Sequence, residues 1–236
     1  SKINTGTKEY SELMRFLTET KMPLSELVVC SEQYYSFVKN QITSQARTTY
    51  IFDTLDQCRE IILSNKPGCN VLKYLLYHLN NRIIKWQRWN DGCSLLSGLN
   101  LSYGCIPFDR MPFCTSLRNH NPRIYDLLDC LSEKGREHEL FARHIQNNTE
   151  IEGMLFTPQK DIVGFDNIDA LISTYNRKLY LPKHEHRKLM TFHDFVYIKG
   201  YADDSAFIIQ KLRDLATSGI AQYTGSVDSW LNKGSY

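Results

Sequence analysis

The chain has 236 residues, 42% of them hydrophobic and 23% charged, with 28 Lys+Arg against 26 Asp+Glu for a formal net charge of +2. That balance belongs to a globular chain with a buried core and excludes a disordered, collagenous or fibrous one. The near-neutral charge removes any whole-molecule attraction for nucleic acid, so such an activity has to come from a local basic patch.

From the N-terminus, residues 9–18 carry Leu13, Phe16 and Leu17 at helical spacing, and residues 25–40 carry Leu27, Cys30, Tyr34 and Val38. Residues 43–63 carry Ile51, Leu55, Cys58 and Ile62 before Lys66-Pro67-Gly68 stops the pattern. Residues 70–89 read as one long helix through Val71, Leu72, Leu75, Leu76, Leu79 and Ile83, so residues 1–90 are predicted to be a helical bundle. Residues 91–165 read as a proline-rich packed connection with short helices. Pro107, Pro112 and Pro122 exclude a continuous helix, while Leu95, Leu99, Ile106, Phe108, Met111 and Phe113 tie the segment to a core. Short helices are predicted from Asn121-Pro122 to Leu131 and over 137–147, with an extended piece at 152–157.

In residues 166–236, Asp166 is expected to cap a helix over 167–177, and 192–198 is the best strand candidate. Asp204 then caps 205–217, where Phe207, Ile208, Leu212 and Leu215 form an apolar stripe; Ser218-Gly219 stops it and Ser226 caps a last helix over 227–232. Two helices joined by a tight connection resemble a helix-turn-helix or winged-helix unit, which implies contact with a nucleic-acid duplex. The predicted fold is mainly α with a minor α+β C-terminal part: a helical N-terminal bundle, then the winged-helix-like unit.

Two segments carry the composition of a nucleic-acid surface. Arg82, Lys85, Trp86, Arg88 and Trp89 share a helical face and its edge, combining phosphate-neutralising cations with indoles on which an unpaired base can stack. The same spacing also suits an inner helix face with snorkelling basic residues. Arg177, Lys178, Lys183, Arg187 and Lys188 form the second segment, placed to hold a phosphate backbone beside the C-terminal unit.

Three catalytic resemblances rest on fewer residues. Arg187 and His193 resemble the arginine–histidine pair of the helical ribonucleases of prokaryotic toxin and defence systems, which implies a proton-handling histidine and a phosphate-stabilising arginine on one helix. Tyr201-Ala202-Asp203-Asp204 resembles the two-aspartate motif of reverse transcriptases, which implies metal-holding carboxylates in a hairpin. Glu137, Glu139, Glu150, Glu152, Asp161 and Lys160 supply the ingredients of a metal-dependent nuclease, although Glu139 with Arg143 reads better as a surface ion pair four residues apart on a helix.

The seven cysteines show no CxxC spacing and are read as reduced, buried thiols; Cys105, Cys114, His120 and Cys130 are an example of a zinc set that a folded-back loop can gather. No Walker loop, dinucleotide glycine fingerprint or nucleophile elbow occurs, and no cofactor is implied. No apolar run approaches 18 residues and no basic-then-apolar leader opens the chain, so the expectation is an intracellular protein with no membrane span. The function expected from these residues is noncatalytic binding of DNA or RNA, as part of a larger nucleic-acid-processing or defence protein. The alternatives are a protein–protein assembly module and a metal-dependent nuclease.

Overall fold

In the computed structural model, which describes residues 4–78, 110–114, 122–218, 229, 230 and 232, the chain is mostly helical with one small antiparallel sheet. It divides into two compact units, residues 1–143 and 144–236. Among the described residues no helix is long and apolar enough to cross a membrane.

The first unit is built from α1 (Lys8–Thr20), α2 (Leu24–Leu27), α3 (Glu32–Thr43), α4 (Tyr50–Leu63), α5 (Cys69–His78), α6 (Ile124–Cys130) and the start of α7 (Glu137–Glu150). Thr7 caps α1 by accepting the Tyr10 amide at 3.3 Å, and Lys21 ends it in the left-handed region at φ 56°. The helix predicted over 25–40 is two helices. Ser31 accepts the Tyr34 amide at 3.3 Å and so opens a new N-terminus, and the carbonyls left by the break are taken by Arg59. Arg59 Nη1 donates to the carbonyls of Val28 at 2.7 Å and Cys30 at 2.9 Å, while Nη2 meets Glu32 at 3.0 Å. The helix predicted from residue 43 starts only at Tyr50, because residues 44–49 carry no large apolar side chain to hold a helical face.

Helix α4 has no side-chain cap of its own at Thr49. Its first amides are instead met by Glu9 of α1, which is 1% exposed; its carboxylate accepts Phe52 N at 2.9 Å and Ile51 N at 3.1 Å. A carboxylate at that end also meets the positive pole of the helix. Leu13, Leu27, Val28, Val38, Phe52, Leu55 and Ile62 make one core, while Val71, Tyr74, Leu75, Phe113, Leu127 and Leu131 make a second. Of the helix predicted over 70–89, residues 79–89 lie outside the described ones, as do residues 91–109 and 115–121 of the proline-rich connection. Pro122 precedes α6 by two residues instead of opening it.

The second unit holds the end of α7, β1 (Thr157–Pro158), α8 (Ile168–Lys178), α9 (Leu181–His184), β2 (Leu189–Phe192), β3 (Phe195–Ile198) and α10 (Lys199–Ser218). Asn167, at φ 51°, caps α8 by accepting the Ala170 amide; Asp166, the expected cap, lies one residue outside. The sheet order is β1–β3–β2, all antiparallel. The strand predicted over 192–198 is therefore the turn and second arm of a hairpin: Phe192 pairs with Phe195 across a two-residue link, His193-Asp194, in which His193 takes φ 49°. The extended piece expected at 152–157 shrinks to β1. Helix α10 begins six residues before its predicted start, so Asp203 and Asp204 lie inside it, with Asp203 held to Lys199 one turn back at 2.8 Å.

Candidate nucleic-acid interface

Period-two geometry sorts the hairpin into two faces. Leu189, Val196 and Ile198 are buried and point to the core, with Thr157 of β1 beside them. The other face carries the cross-strand pairs Met190–Tyr197 and Phe192–Phe195, and Phe156 leads into β1 with its ring 5.2 Å from that of Tyr197. This face is open to water: Phe192 is 61% exposed, Phe156 41% and Phe195 39%. At the wide end of the hairpin the ladder runs on, the Lys199 amide donating to the Lys188 carbonyl at 2.9 Å. The two lysines stand one step beyond the Leu189–Ile198 pair, Lys188 leading into β2 and Lys199 opening α10 with its ammonium on Asp203 at 2.8 Å.

The second basic segment of the sequence leads into this hairpin. Arg177 and Lys178 lie exposed in the last turn of α8, where they complement the helix dipole, and Lys183 is exposed in α9. Arg187 closes a 3-10 turn (Glu185–Arg187) and Lys188 follows it into β2. Between residues 177 and 199 six cations, these five and Lys199, stand against two carboxylates, Glu185 and Asp194. Arg82, Lys85, Trp86, Arg88 and Trp89 lie outside the described residues.

Behind the hairpin a cavity of about 380 Å³ is lined by His186, Arg187, Ile198, Gly200, Tyr201, Asp203 and Asp204. Gly200 lets the start of α10 close against the turn at His186, since a Cβ there would stand 2.8 Å from the His186 carbonyl oxygen and 2.9 Å from its Cβ. Tyr201 donates its hydroxyl to Glu150, and Arg187 Nη1 lies 3.9 Å from the same carboxylate. Burial, reinforced by the bond to Glu150, pushes the Tyr201 hydroxyl up to about 12, so it stays a donor at neutral pH. Burial and then the Arg187 charge push the His186 imidazole below its ordinary value, against the opposing pull of Asp204.

The catalytic resemblances do not survive as geometry. Arg187 and His193 stand beyond opposite ends of β2, separated by five residues, Lys188 to Phe192, or about 20 Å of extended chain, and not on one helix. Asp203 and Asp204 sit in the second turn of a helix and not in a hairpin. Glu139 and Arg143 are no surface pair: both are buried, Glu139 meeting Arg136 at 2.8 Å and Arg143 donating to the carbonyls of Phe113 and Pro122. Among the described residues no group of three or more His, Cys, Asp and Glu side chains is placed to hold a metal ion. Cys105 and His120 of the zinc set lie outside the described residues.

Sequence reading passes over Phe156, Met190, Phe195, Tyr197 and Lys199 because it treats 192–198 as one strand. The signal that finds them is the alternation of Leu189 to Phe192 resumed in mirror image from Phe195 to Ile198, with two polar residues between. Comparison with protein-family models, characterised proteins and solved structures finds no match to this chain.

Proposed function

We propose that this protein binds single-stranded nucleic acid without catalysis, using the outer face of the β1–β3–β2 sheet. The observation that carries the reading is the row of exposed Phe156, Phe195 and Phe192 with half-buried Tyr197 among them and Lys188 and Lys199 at one end. Aromatic rings on an open sheet offer stacking surfaces to unpaired bases, and lysines beside them neutralise the phosphates between those bases. Arg177, Lys178, Lys183 and Arg187 extend the cationic surface along the chain that feeds the hairpin.

The succession α7, β1, α8, α9, β2, β3 supports the finer reading of this unit as winged-helix-like, with α8 and α9 as its helix pair in place of the expected helices over 205–217 and 227–232, between which residues 219–228 lie outside the described ones. Four-residue α9 is only about 6 Å long, too short to lie along a major groove, which favours single strands on the sheet over a duplex on the helices.

The test is an anisotropy titration of the intact chain with labelled single- and double-stranded DNA and RNA at about 50 and 200 mM salt. If three phosphates are neutralised, single-strand affinity falls about twentyfold between the two salts. Lys188→Glu with Lys199→Glu removes most of the salt slope. Equal or tighter duplex binding, or no single-strand binding at micromolar protein, overturns the reading.

A further inference from the structure

We propose that the cavity bounded by Arg187, Tyr201 and Asp204 is a base pocket that takes an unpaired guanine from the strand bound on the sheet, an inference that rests on the single-strand reading above. Its lining holds one loosely held donor group and one unpaired acceptor. Arg187 has its ionic neighbour, Glu150, at 3.9 Å, beyond hydrogen-bond reach, and its Nε is buried without a hydrogen-bond partner. Asp204 has no ion-pair or hydrogen-bond partner among the described residues, whereas Asp203 is already held by Lys199. The charges of Arg187 and Asp204 both act on the His186 imidazole and the Tyr201 hydroxyl, so the two border one small space. At about 380 Å³ that space is at the lower end of ligand-sized pockets.

The charges choose the ligand. Glu150, Asp203 and Asp204 outnumber Arg187 and Lys199 around the cavity, and Lys188 and Glu185 pair with each other at 3.6 Å. His186, pushed below its ordinary value by burial and then by Arg187, is neutral at pH 7 and adds no cation. A phosphate or carboxylate is therefore repelled, and the lining suits an uncharged group that accepts on one edge and donates on the next. Guanine does this twice over. Its O6 and N7 accept a guanidinium in parallel, the commonest specific contact to a base, while its N1–H and N2–H donate side by side to a single carboxylate. Adenine and cytosine bring one amino group to a carboxylate and thymine one ring N–H, so none of them matches both edges. The Tyr201 ring and Ile198 bound the same cavity and give the base plane an apolar wall. The location fits as well: going outward from the Leu189–Ile198 pair, Lys188 and Lys199 come first and Arg187 and Gly200 next, so a strand crossing the aromatic face toward the lysines arrives at the cavity.

Anisotropy titrations of the full chain compare a labelled run of about 12 thymines with the same strand carrying one central guanine, adenine or cytosine. The guanine strand is expected to bind about tenfold more tightly than the thymine run, and the adenine and cytosine strands within about threefold of it. Asp204→Ala, at an exposed helix position and with circular dichroism as the control for folding, brings the guanine strand down to the affinity of the thymine run. Adenine stacks on aromatic rings as guanine does, so an adenine strand as tight as the guanine one overturns the pocket, as does a guanine preference that survives Asp204→Ala. A thymine run that binds, with no gain from guanine, overturns this inference and leaves the single-strand reading standing; a chain that binds none of the strands overturns both. Guanosine monophosphate at about 1 mM, with adenosine monophosphate as its control, separates the two sources of the base. If it leaves the guanine strand in place, the strand presents the base; if it alone strips away the guanine preference, the strand is overturned as the source.

Discussion

Replacing Phe192 separates a stacking platform from an apolar patch. Phe192 is 61% exposed, so of the roughly 200 Å² that a phenylalanine can bury, about 120 Å² is open to a ligand. One base on one ring face covers about half of that and an equal area of its own, so about 120 Å² leaves water. At about 25 cal/mol per Å² this is about 3 kcal/mol before ordering costs, the upper end of the 1–3 kcal/mol that stacked aromatics lose on truncation. Phe192→Ala is therefore expected to weaken single-strand binding by about 10- to 100-fold. The folded state loses at most about 2 kcal/mol, since only about 80 Å² of the ring is buried in the free protein and its cross-strand partner Phe195 remains. Phe192→Leu keeps the apolar bulk and the strand but has no π face, so it is expected to bind nearly as poorly as the alanine variant. Anisotropy titrations, with thermal unfolding as the control for folding, read both effects. Wild-type affinity in the leucine variant refutes the stacking argument, and wild-type affinity in the alanine variant refutes the site.

Three further outcomes follow from the packing. Glu9→Ala leaves the Ile51 and Phe52 amides buried without an acceptor; urea unfolding should show a loss of about 2–4 kcal/mol, with Glu9→Gln recovering part of it, and a loss under 0.5 kcal/mol would contradict the capping role. Gly200→Ala drives a methyl into the His186 backbone, and despite the helix propensity it gains it should cost about 1–3 kcal/mol in the same assay. Burial pushes His144 below its ordinary 6.5, and burial with the Arg187 charge does the same to His186. Protonation therefore favours the unfolded chain: stability from these groups is complete above about pH 6.5 and drains away as pH falls toward the lowered folded values. The urea midpoint should drop between about pH 7 and about pH 5 and flatten in His144→Asn/His186→Asn. Glu60, held low by Lys66, and Glu137, held low by backbone amides, act only in more acid solution, below about 4.5, so the two windows separate.

The helices were legible because their apolar periodicity is local: Leu13, Val38, Leu55 and Ile172 lie on the faces their spacing predicts, and all are buried. What the sequence hid is what depends on distant partners. The division of 25–40 into two helices becomes stable only because Arg59 reaches back to the freed carbonyls, and α4 can begin without its own cap because Glu9 lies 42 residues upstream. Glu139 and Arg143 looked like a solvent pair because a four-residue spacing carries no information about which side of a helix is covered. The hairpin was missed for a different reason. His193-Asp194 lacks the glycine that marks a tight link, and a histidine in the left-handed region is a conformation that composition does not announce. The aromatic face was hidden with it, since its residues share a face only once the two arms are folded together.

Strand β2 lies at the edge of its sheet, and on an antiparallel edge alternate residues present their peptide groups outward, here Leu189 and Thr191. Asn176 of α8 occupies both groups of Leu189, its side-chain oxygen accepting the amide at 3.0 Å and its nitrogen donating to the carbonyl at 2.8 Å. A carboxamide thereby stands in for the neighbouring strand that is missing and leaves Thr191 alone as a place where a foreign chain can start to pair. Two outward peptides are already a poor template for cross-β growth, and one is poorer still. A protein with three exposed phenylalanines on so small a sheet has particular need of that plug, because the surface suited to bases is also the surface most prone to precipitation.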